Sequence, residues 1–428
     1  MSSLAGARVL LGVGGGIAAY KSALLLRGLV GEGAQVQVIP TRSSLEFVGA
    51  ATWEALSHNK VLTSVFEHVD EVAHVRIGQD ADLVVIAPAT ADLLARMRAG
   101  RADDLLTASL LVTRAPVVIA PAMHTEMWEH PATVENVAVL RERGVIVLEP
   151  AVGRLTGPDS GPGRLPEPTA ILDAARAAIA APRTALGGVQ QDLSGRHLLI
   201  SAGGTREELD PVRFLANHSS GRQGWALAHA ALARGARVTL AAANVDLETP
   251  PGADRRDVTS AAQLASLVAE QRDRADAVIM AAAVADFTAA QRSEAKIKKT
   301  DNGDSAEGAG GTDDAPSIPL RRTEDVLRTA VTWRGDGQRP AIVGFAAETG
   351  GEGHTAFELA QQKARRKGAD LLVFNDVTAG VFGSADNAVR ILDADGEQVA
   401  SAEGSKTEVA HAVLDELVRR LPGVPLTA

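Results

Sequence analysis

Apolar residues fall in short unbroken runs, and each run is followed by a stretch with helical spacing. In the first half the runs are Arg8–Val13, Val36–Ile39, Leu83–Ala87, Val117–Ala120 and Val145–Leu148. Runs this short and continuous predict strands buried on both faces. Their alternation with helices predicts a parallel sheet covered on both sides. The second half repeats the scheme near 197–202, 237–242, 277–282, 341–346 and 370–374. The expected fold class is α/β, with two parallel-sheet domains at 1–181 and 196–428. Residues 182–195 lack periodicity and read as the linker. Residues 151–168 are rich in Gly and Pro and read as a flap, with an alanine-rich helix at 170–181 behind it. Residues 300–316 are polar and acidic with few apolar side chains, so a mobile loop is expected there.

Composition narrows the function. The chain has 428 residues and 46% apolar content, enough for a sizeable core in each half. Aromatics are only 3%, so those cores must be Ala, Val and Leu. A net charge of −10 argues against generic nucleic-acid or anionic-membrane partners. Any phosphate must then be held by local basic clusters and helix ends. There is no cysteine, which excludes disulfides, thiolate metal sites and a cysteine nucleophile. The run at Val9–Val13 is too short for a secretory core, and no run reaches the roughly 20 apolar residues of a membrane span. A soluble, cytoplasmic chain is expected.

Three strand ends in the first half carry chemistry. Gly14-Gly15-Gly16 follows the first strand, and Gly14-x-Gly16-x-x-Ala19 fits a dinucleotide fingerprint. That fingerprint needs an acid after the second strand to hold a ribose. Here the chain reads Ile39-Pro40-Thr41-Arg42, which suits a terminal phosphate and a mononucleotide such as FMN. Pro88-Ala89-Thr90 and Pro121-Ala122-Met123-His124 close two further strands, where open α/β sheets bind ligands. Either turn alone could be a plain strand-to-helix connection.

In the second half, residues 201–224 read SAGGTREELDPVRFLANHSSGRQG, a long polar connection between strand and helix. A helix opening after such a loop offers free N–H groups and a positive dipole end to a phosphate. Basic runs lie at Lys296-Ile297-Lys298-Lys299, at Arg321-Arg322 and at Lys363 with Lys367, four apart on one helix face. One such run is usually a solvated face. Three near strand ends in an acidic protein favour a triphosphate.

DPVRF-x-x-NHSSG resembles the signature of phosphopantothenate–cysteine ligase. GGGIAAYK, APATAD and PAM-x-x-x-M together resemble the flavin-dependent cysteine decarboxylases. With both motif sets in this order, the chain is similar from about residue 5 to about residue 420 to the fused bacterial enzymes of coenzyme A biosynthesis. The resemblance implies two Rossmann-like domains, the first flavodoxin-like. It places FMN against Gly15, Gly16, Ile17, Thr41, Pro88, Ala89 and Thr90, with His74 as base. It places CTP, with Mg²⁺, against Met280, Ala281, Ala282, Asp286, Lys296, Phe345, Lys363 and Lys367. Lys296 is implicated in nucleotidyl transfer and Asn217 in the attack of cysteine on the acyl-cytidylate. The implied substrates are 4′-phosphopantothenate, cysteine and CTP, and the implied assembly is a homo-oligomer, a dodecamer.

The sequence departs from the usual family pattern at several points. Gly14 replaces a serine, and Gly204 and Glu324 replace prolines. His124 replaces an asparagine, and Thr156 replaces a proton-donating cysteine. The last two departures read as compensating, with His124 or a water it polarises supplying the proton and Thr156 holding the substrate under the flap. Two other readings stand beside this one. A tandem nicotinamide oxidoreductase is disfavoured by the missing ribose acid. A nucleotide-sensing scaffold would lack turnover.

Overall fold

The computed structural model describes residues 3–65, 72–155, 157, 159–297, 317–351, 353–376 and 386–423. Thr156, Lys298, Lys299 and the 300–316 segment lie outside the described residues.

The first sheet is built from β1 (Arg8–Val13), β2 (Gln35–Pro40), β3 (Leu83–Ala89), β4 (Val117–Pro121) and β5 (Ile146–Val147), all parallel, in the order β2-β1-β3-β4-β5. All seven residues of β3 are buried, as a central strand covered on both faces requires. Alternate residues feed two cores. Val9, Leu11 and Val13 face α1 (Ala19–Gly31), α2 (Ala50–Ser57) and α8 (Pro168–Ala180). Leu10, Val84 and Ile86 face α4 (Ala91–Ala99), α5 (Leu105–Val112) and α7 (Pro131–Glu142). Helix α3 (Ala73–Asp80) packs on α5, and α6 (Thr125–Trp128) is a single turn. The expected flap is an antiparallel hairpin of β6 (Ala151–Arg154) and β7 (Ser160–Arg164).

The second sheet has the order β12-β11-β8-β13-β16-β17-β18-β19. Its strands are β8 (His197–Gly203), β11 (Arg237–Ala243), β12 (Ala253–Val258), β13 (Ala277–Met280), β16 (Ala341–Glu348), β17 (Leu371–Asp376), β18 (Asp386–Leu392) and β19 (Gln398–Ser405). The first six are parallel, and β18 and β19 complete the edge antiparallel. Helices α9 (Arg222–Ala233) and α13 (Lys406–Val418) cover one face; α10 (Ala261–Gln271), α11 (Val326–Arg334) and α12 (Ala356–Lys367) cover the other. Two short hairpins stand beside the sheet: β9 (Arg206–Glu208) with β10 (Phe214–Ala216), and β14 (Phe287–Ala289) with β15 (Leu320–Arg322). The connection at 201–224 is therefore not plain loop; it carries the β9–β10 arm.

Helix α8 joins the two units, packing on α1 at one side and on α9 and α13 at the other. Its small residues Ala174, Ala177 and Ala178 allow that close approach. The seam is polar at its centre. His411 Nε2 donates to the carbonyl of Ala177 at 2.8 Å, and its Nδ1 is buried without a partner among the described residues. Burial pushes the His411 imidazole down to about 4; Arg234 adds to the effect, while the Ala177 hydrogen bond, Asp415 and Asp192 oppose it. Between pH 6.5 and about 4, the unfolded chain binds a proton that the folded chain refuses. This contribution is therefore full above pH 6.5 and falls through that window, by up to about 3 kcal/mol. His411→Gln keeps a donor for Ala177 but cannot titrate. Thermal midpoints measured across this window should fall less steeply for the variant than for the parent. Parallel curves would show that His411 does not couple stability to pH.

Candidate functional site

In the first sheet the order reverses at β1, which has β2 on one side and β3 on the other. Ligands bind outside the carboxyl ends of strands at such a switch point. Gly14 N donates to Pro88 O at 2.9 Å, and a Cβ on Gly14 would lie 2.5 Å from that oxygen. A Cβ on Gly15 would lie 2.0 Å from Ser43 Oγ. The glycine loop is thus pressed against the loops after both neighbouring strands. A Cβ on Gly16 would meet only Thr90 Cγ2, at 4.0 Å, so this residue faces open space. Thr41 is buried with its hydroxyl 3.3 Å from Ser43 Oγ. Thr90 accepts from Leu93 N at 3.2 Å and caps α4. Pro88 and Ala89 are buried, and Ile17 is exposed on the rim. The result is a backbone-walled cradle with hydroxyls at its edge.

His74 sits in the first turn of α3, after Val72 in the left-handed region (φ 46°). Its Nδ1 is buried and has no partner among the described residues. Leaving such an atom unpaired costs about 1–3 kcal/mol. Beyond β4 the chain is held by the flap. Met123 N donates to Gly163 O at 3.0 Å, and a Cβ on Gly163 (φ 156°) would lie 2.2 Å from Met123 O. His124 Nδ1 lies 3.3 Å from Asp159 Oδ2, between β6 and β7.

The second sheet reverses at β8, between β11 and β13. Gly203 (φ 89°) comes so close to β11 that a Cβ would lie 2.1 Å from Ala243 O. Ser201 Oγ accepts from Ala282 N at 3.1 Å across the switch point. Thr205 is fully buried and accepts from Ala285 N at 2.9 Å. These bonds fix the loop after β13 that carries Ala281, Ala282 and the exposed Asp286. Helix α9 begins after Gly221 (φ 73°) with no side-chain cap, which leaves its amino end open to an acceptor. Asn217 is exposed and donates to Val284 O at 3.1 Å. On α12, Lys363 pairs with Glu348 at 2.8 Å and Lys367 with Asp325. The Asp325 carboxyl, itself the cap of α11, is pushed up by burial but held below the ordinary carboxylate value by Lys367 and the Arg328 N–H.

Comparison with known proteins matches residues 2–180 to the Flavoprotein family and residues 193–421 to the DNA/pantothenate metabolism flavoprotein C-terminal domain. The chain is 52% identical over 421 residues to the coenzyme A biosynthesis bifunctional protein CoaBC of Mycobacterium tuberculosis strain H37Rv, covering 97% of each. It is 53% identical over 415 residues to the protein of that name from Mycolicibacterium smegmatis, covering 96% of this chain and 97% of that one. The Vibrio parahaemolyticus protein is 39% identical over 421 residues, covering 97% of this chain and 99% of that one. The chain belongs to the CoaBC family. It is a bifunctional enzyme of coenzyme A biosynthesis.

Within this CoaBC-family fold, the glycine loop, Thr41 and the Pro88–Thr90 turn lie together at the carboxyl ends of β1, β2 and β3. Met280, buried in β13, and Phe345, half-buried in β16, lie on neighbouring strands of the second sheet. Lys296 is exposed on the segment that follows β14. Sequence reasoning missed Ser43 and Asp159, which lie against Thr41 and His124, and it did not foresee that Glu348 and Asp325 pair with Lys363 and Lys367. It also passed over the role of Asp210, although an Asp-Pro pair signals a turn. No helix among the described residues is long and apolar enough to cross a membrane.

Proposed function

We propose that the second domain joins 4′-phosphopantothenate to cysteine with CTP, and that the first domain decarboxylates the product to 4′-phosphopantetheine. The observation that carries this reading is one chain that aligns over 97% of its length with bifunctional relatives and has a switch point in the strand order of each sheet. The substrate carboxylate attacks the α-phosphate of CTP, and pyrophosphate leaves. The cysteine amine then attacks the acyl-cytidylate, and CMP leaves. Lys296 neutralises charge at the reacting phosphate, while Lys363 and Lys367 take the outer phosphates in exchange for Glu348 and Asp325. Mg²⁺, when bound, would be held chiefly by the phosphates and its own waters, and Asp286 is an exposed carboxylate that could meet those waters. Met280, Ala281, Ala282 and Phe345 flank the base and ribose. Asn217 steadies the acyl oxygen during amide formation.

The cradle of Gly15, Gly16, Ile17, Thr41, Pro88, Ala89 and Thr90 fits FMN: its walls are backbone and small side chains, and Gly16 opens onto free space. Bound there, FMN supplies a reversible hydride acceptor for the cysteinyl CH₂–SH group, which gives the carboxylate an electron sink. His74 Nδ1 takes the thiol proton. His124, oriented by Asp159 at 3.3 Å, returns a proton after CO₂ leaves; Thr156 holds the substrate. Exposed Tyr20 and Leu24 on α1, with Ile17 in the turn before it, support assembly into a homo-oligomer, the dodecamer the resemblance implies. The first test is colour. The purified protein should be yellow and release FMN on denaturation. A colourless protein that also gains no flavin spectrum on titration with FMN would refute the decarboxylase half.

A further inference from the structure

Asp210 lies at the tip of the β9–β10 arm, far in sequence from the basic segment that carries Lys296. Its carboxylate is fully buried, which is costly unless both oxygens find donors. Three backbone N–H groups provide this. Oδ1 accepts from Val212 N at 2.7 Å and from Arg213 N at 2.8 Å, closing the turn of the arm. Oδ2 accepts from Ile297 N at 3.1 Å, in a segment 87 residues away. Burial raises the Asp210 pKa, but these three bonds and Arg213 outweigh it and keep the group ionised.

The residue so gripped is the one after Lys296, and it is held twice. Arg213 Nη2 donates to Ile297 O at 2.8 Å, so both polar groups of that residue are tied to the arm. Ser293 N donates to Leu209 O at 3.0 Å, which anchors the same segment on the other side of Lys296. Lys296 therefore hangs between two clamps, with its side chain exposed. The arm is itself fixed to the body: Glu207 is buried and accepts from Ala261 N at 2.8 Å at the start of α10. Only a carboxylate can accept on both oxygens, so an amide at 210 would keep the turn and lose the link to Ile297.

We infer that Asp210 is a positioning residue for nucleotidyl transfer: it sets the backbone beside Lys296 and so aims that ammonium at the reacting phosphate. This rests on the role given to Lys296 above. Asp210 touches no substrate; it acts through the lysine. A lysine stem has several free torsions, and misplacing such a group by about 1 Å can cost about a hundredfold in rate.

The test uses the full-length protein and measures pyrophosphate release from CTP and 4′-phosphopantothenate without cysteine. Asp210→Asn, Lys296→Gln and the double variant are compared, with decarboxylation of supplied 4′-phosphopantothenoylcysteine as the control for folding. Asp210→Asn should lower the maximal rate at least tenfold and leave the KM for CTP within about threefold. On the Lys296→Gln background it should cost no more than about threefold further, because the group it aims is gone. Ile297→Pro deletes the same hydrogen bond from the other partner. It should reproduce the loss of rate, which covers the case where Asp210→Asn folds poorly. A full tenfold loss on the Lys296→Gln background, or a rate within twofold of the parent for either single clamp variant, overturns the inference. If Lys296→Gln itself runs at the parent rate, the role of Lys296 falls and this inference with it.

Discussion

His74→Asn releases no CO₂ from 4′-phosphopantothenoylcysteine above about one-thousandth of the parent rate, while the same preparation forms the amide normally. The size follows from losing a positioned proton acceptor, which contributes about 10²–10⁴-fold. The location is set by packing rather than by a flexible chain. A Cβ on Gly78 in α3 would lie 2.5 Å from Ser109 O, so the helix that carries His74 sits in close contact with α5. Asparagine keeps a polar atom near the position of Nδ1 but cannot take a proton, so the change removes the base with little added bulk. Ligase activity is spared because Asn217 and Lys296 belong to the second half of the chain, beside the other sheet. CO₂ release and amide formation by one sample check both halves of the statement. Undiminished CO₂ release would remove His74 from the mechanism.

The second large effect divides one reaction into two steps. Lys296→Gln should slow pyrophosphate release about a hundredfold or more, the scale for losing one charge-stabilising donor. Asn217→Asp should leave pyrophosphate release nearly intact and slow amide formation by a similar factor. The two residues sit on different segments of the chain. Lys296 belongs to the basic segment clamped by the arm, whereas Asn217 follows β10 and donates to Val284 O at 3.1 Å. An aspartate there cannot donate to that carbonyl and adds negative charge where an oxyanion develops. Assaying pyrophosphate and amide separately with each variant decides it. Equal losses in both steps for both variants would refute the division of roles.

The long parallel strands were legible because their residues are buried on both faces and read as unbroken Val, Ile, Leu and Ala. Strand β12, Ala-Asp-Arg-Arg-Asp-Val, was not legible: as an edge strand it buries only Val258, and it carries four charges. The β9–β10 arm was hidden for a related reason. Its short strands are mostly exposed, and the burial that defines it belongs to Glu207 and Asp210, whose partners Ala261 and Ile297 are remote in sequence. Glycine positions carried more information. Gly14, Gly15 and Gly203 fill places where a Cβ would meet a neighbouring loop or strand, a constraint that leaves its mark at the residue itself. Lys363 and Lys367 could be placed on one helix face from spacing alone. Their pairing with Glu348 and Asp325 needed the fold, because those carboxylates come from β16 and from the cap of α11.

The account turns on two chemistries running in series on one chain, and product analysis by mass tests that most directly. The protein is incubated with 4′-phosphopantothenate, cysteine, CTP and Mg²⁺, and pyrophosphate, CO₂ and the thiol product are measured together. The prediction is 4′-phosphopantetheine, with one pyrophosphate and one CO₂ formed for each molecule. A product lighter by two hydrogens, the unreduced ene-thiol, would show that His124 and Thr156 do not replace the missing cysteine. Accumulation of the amide with no CO₂, or no pyrophosphate at all, would contradict the central claim.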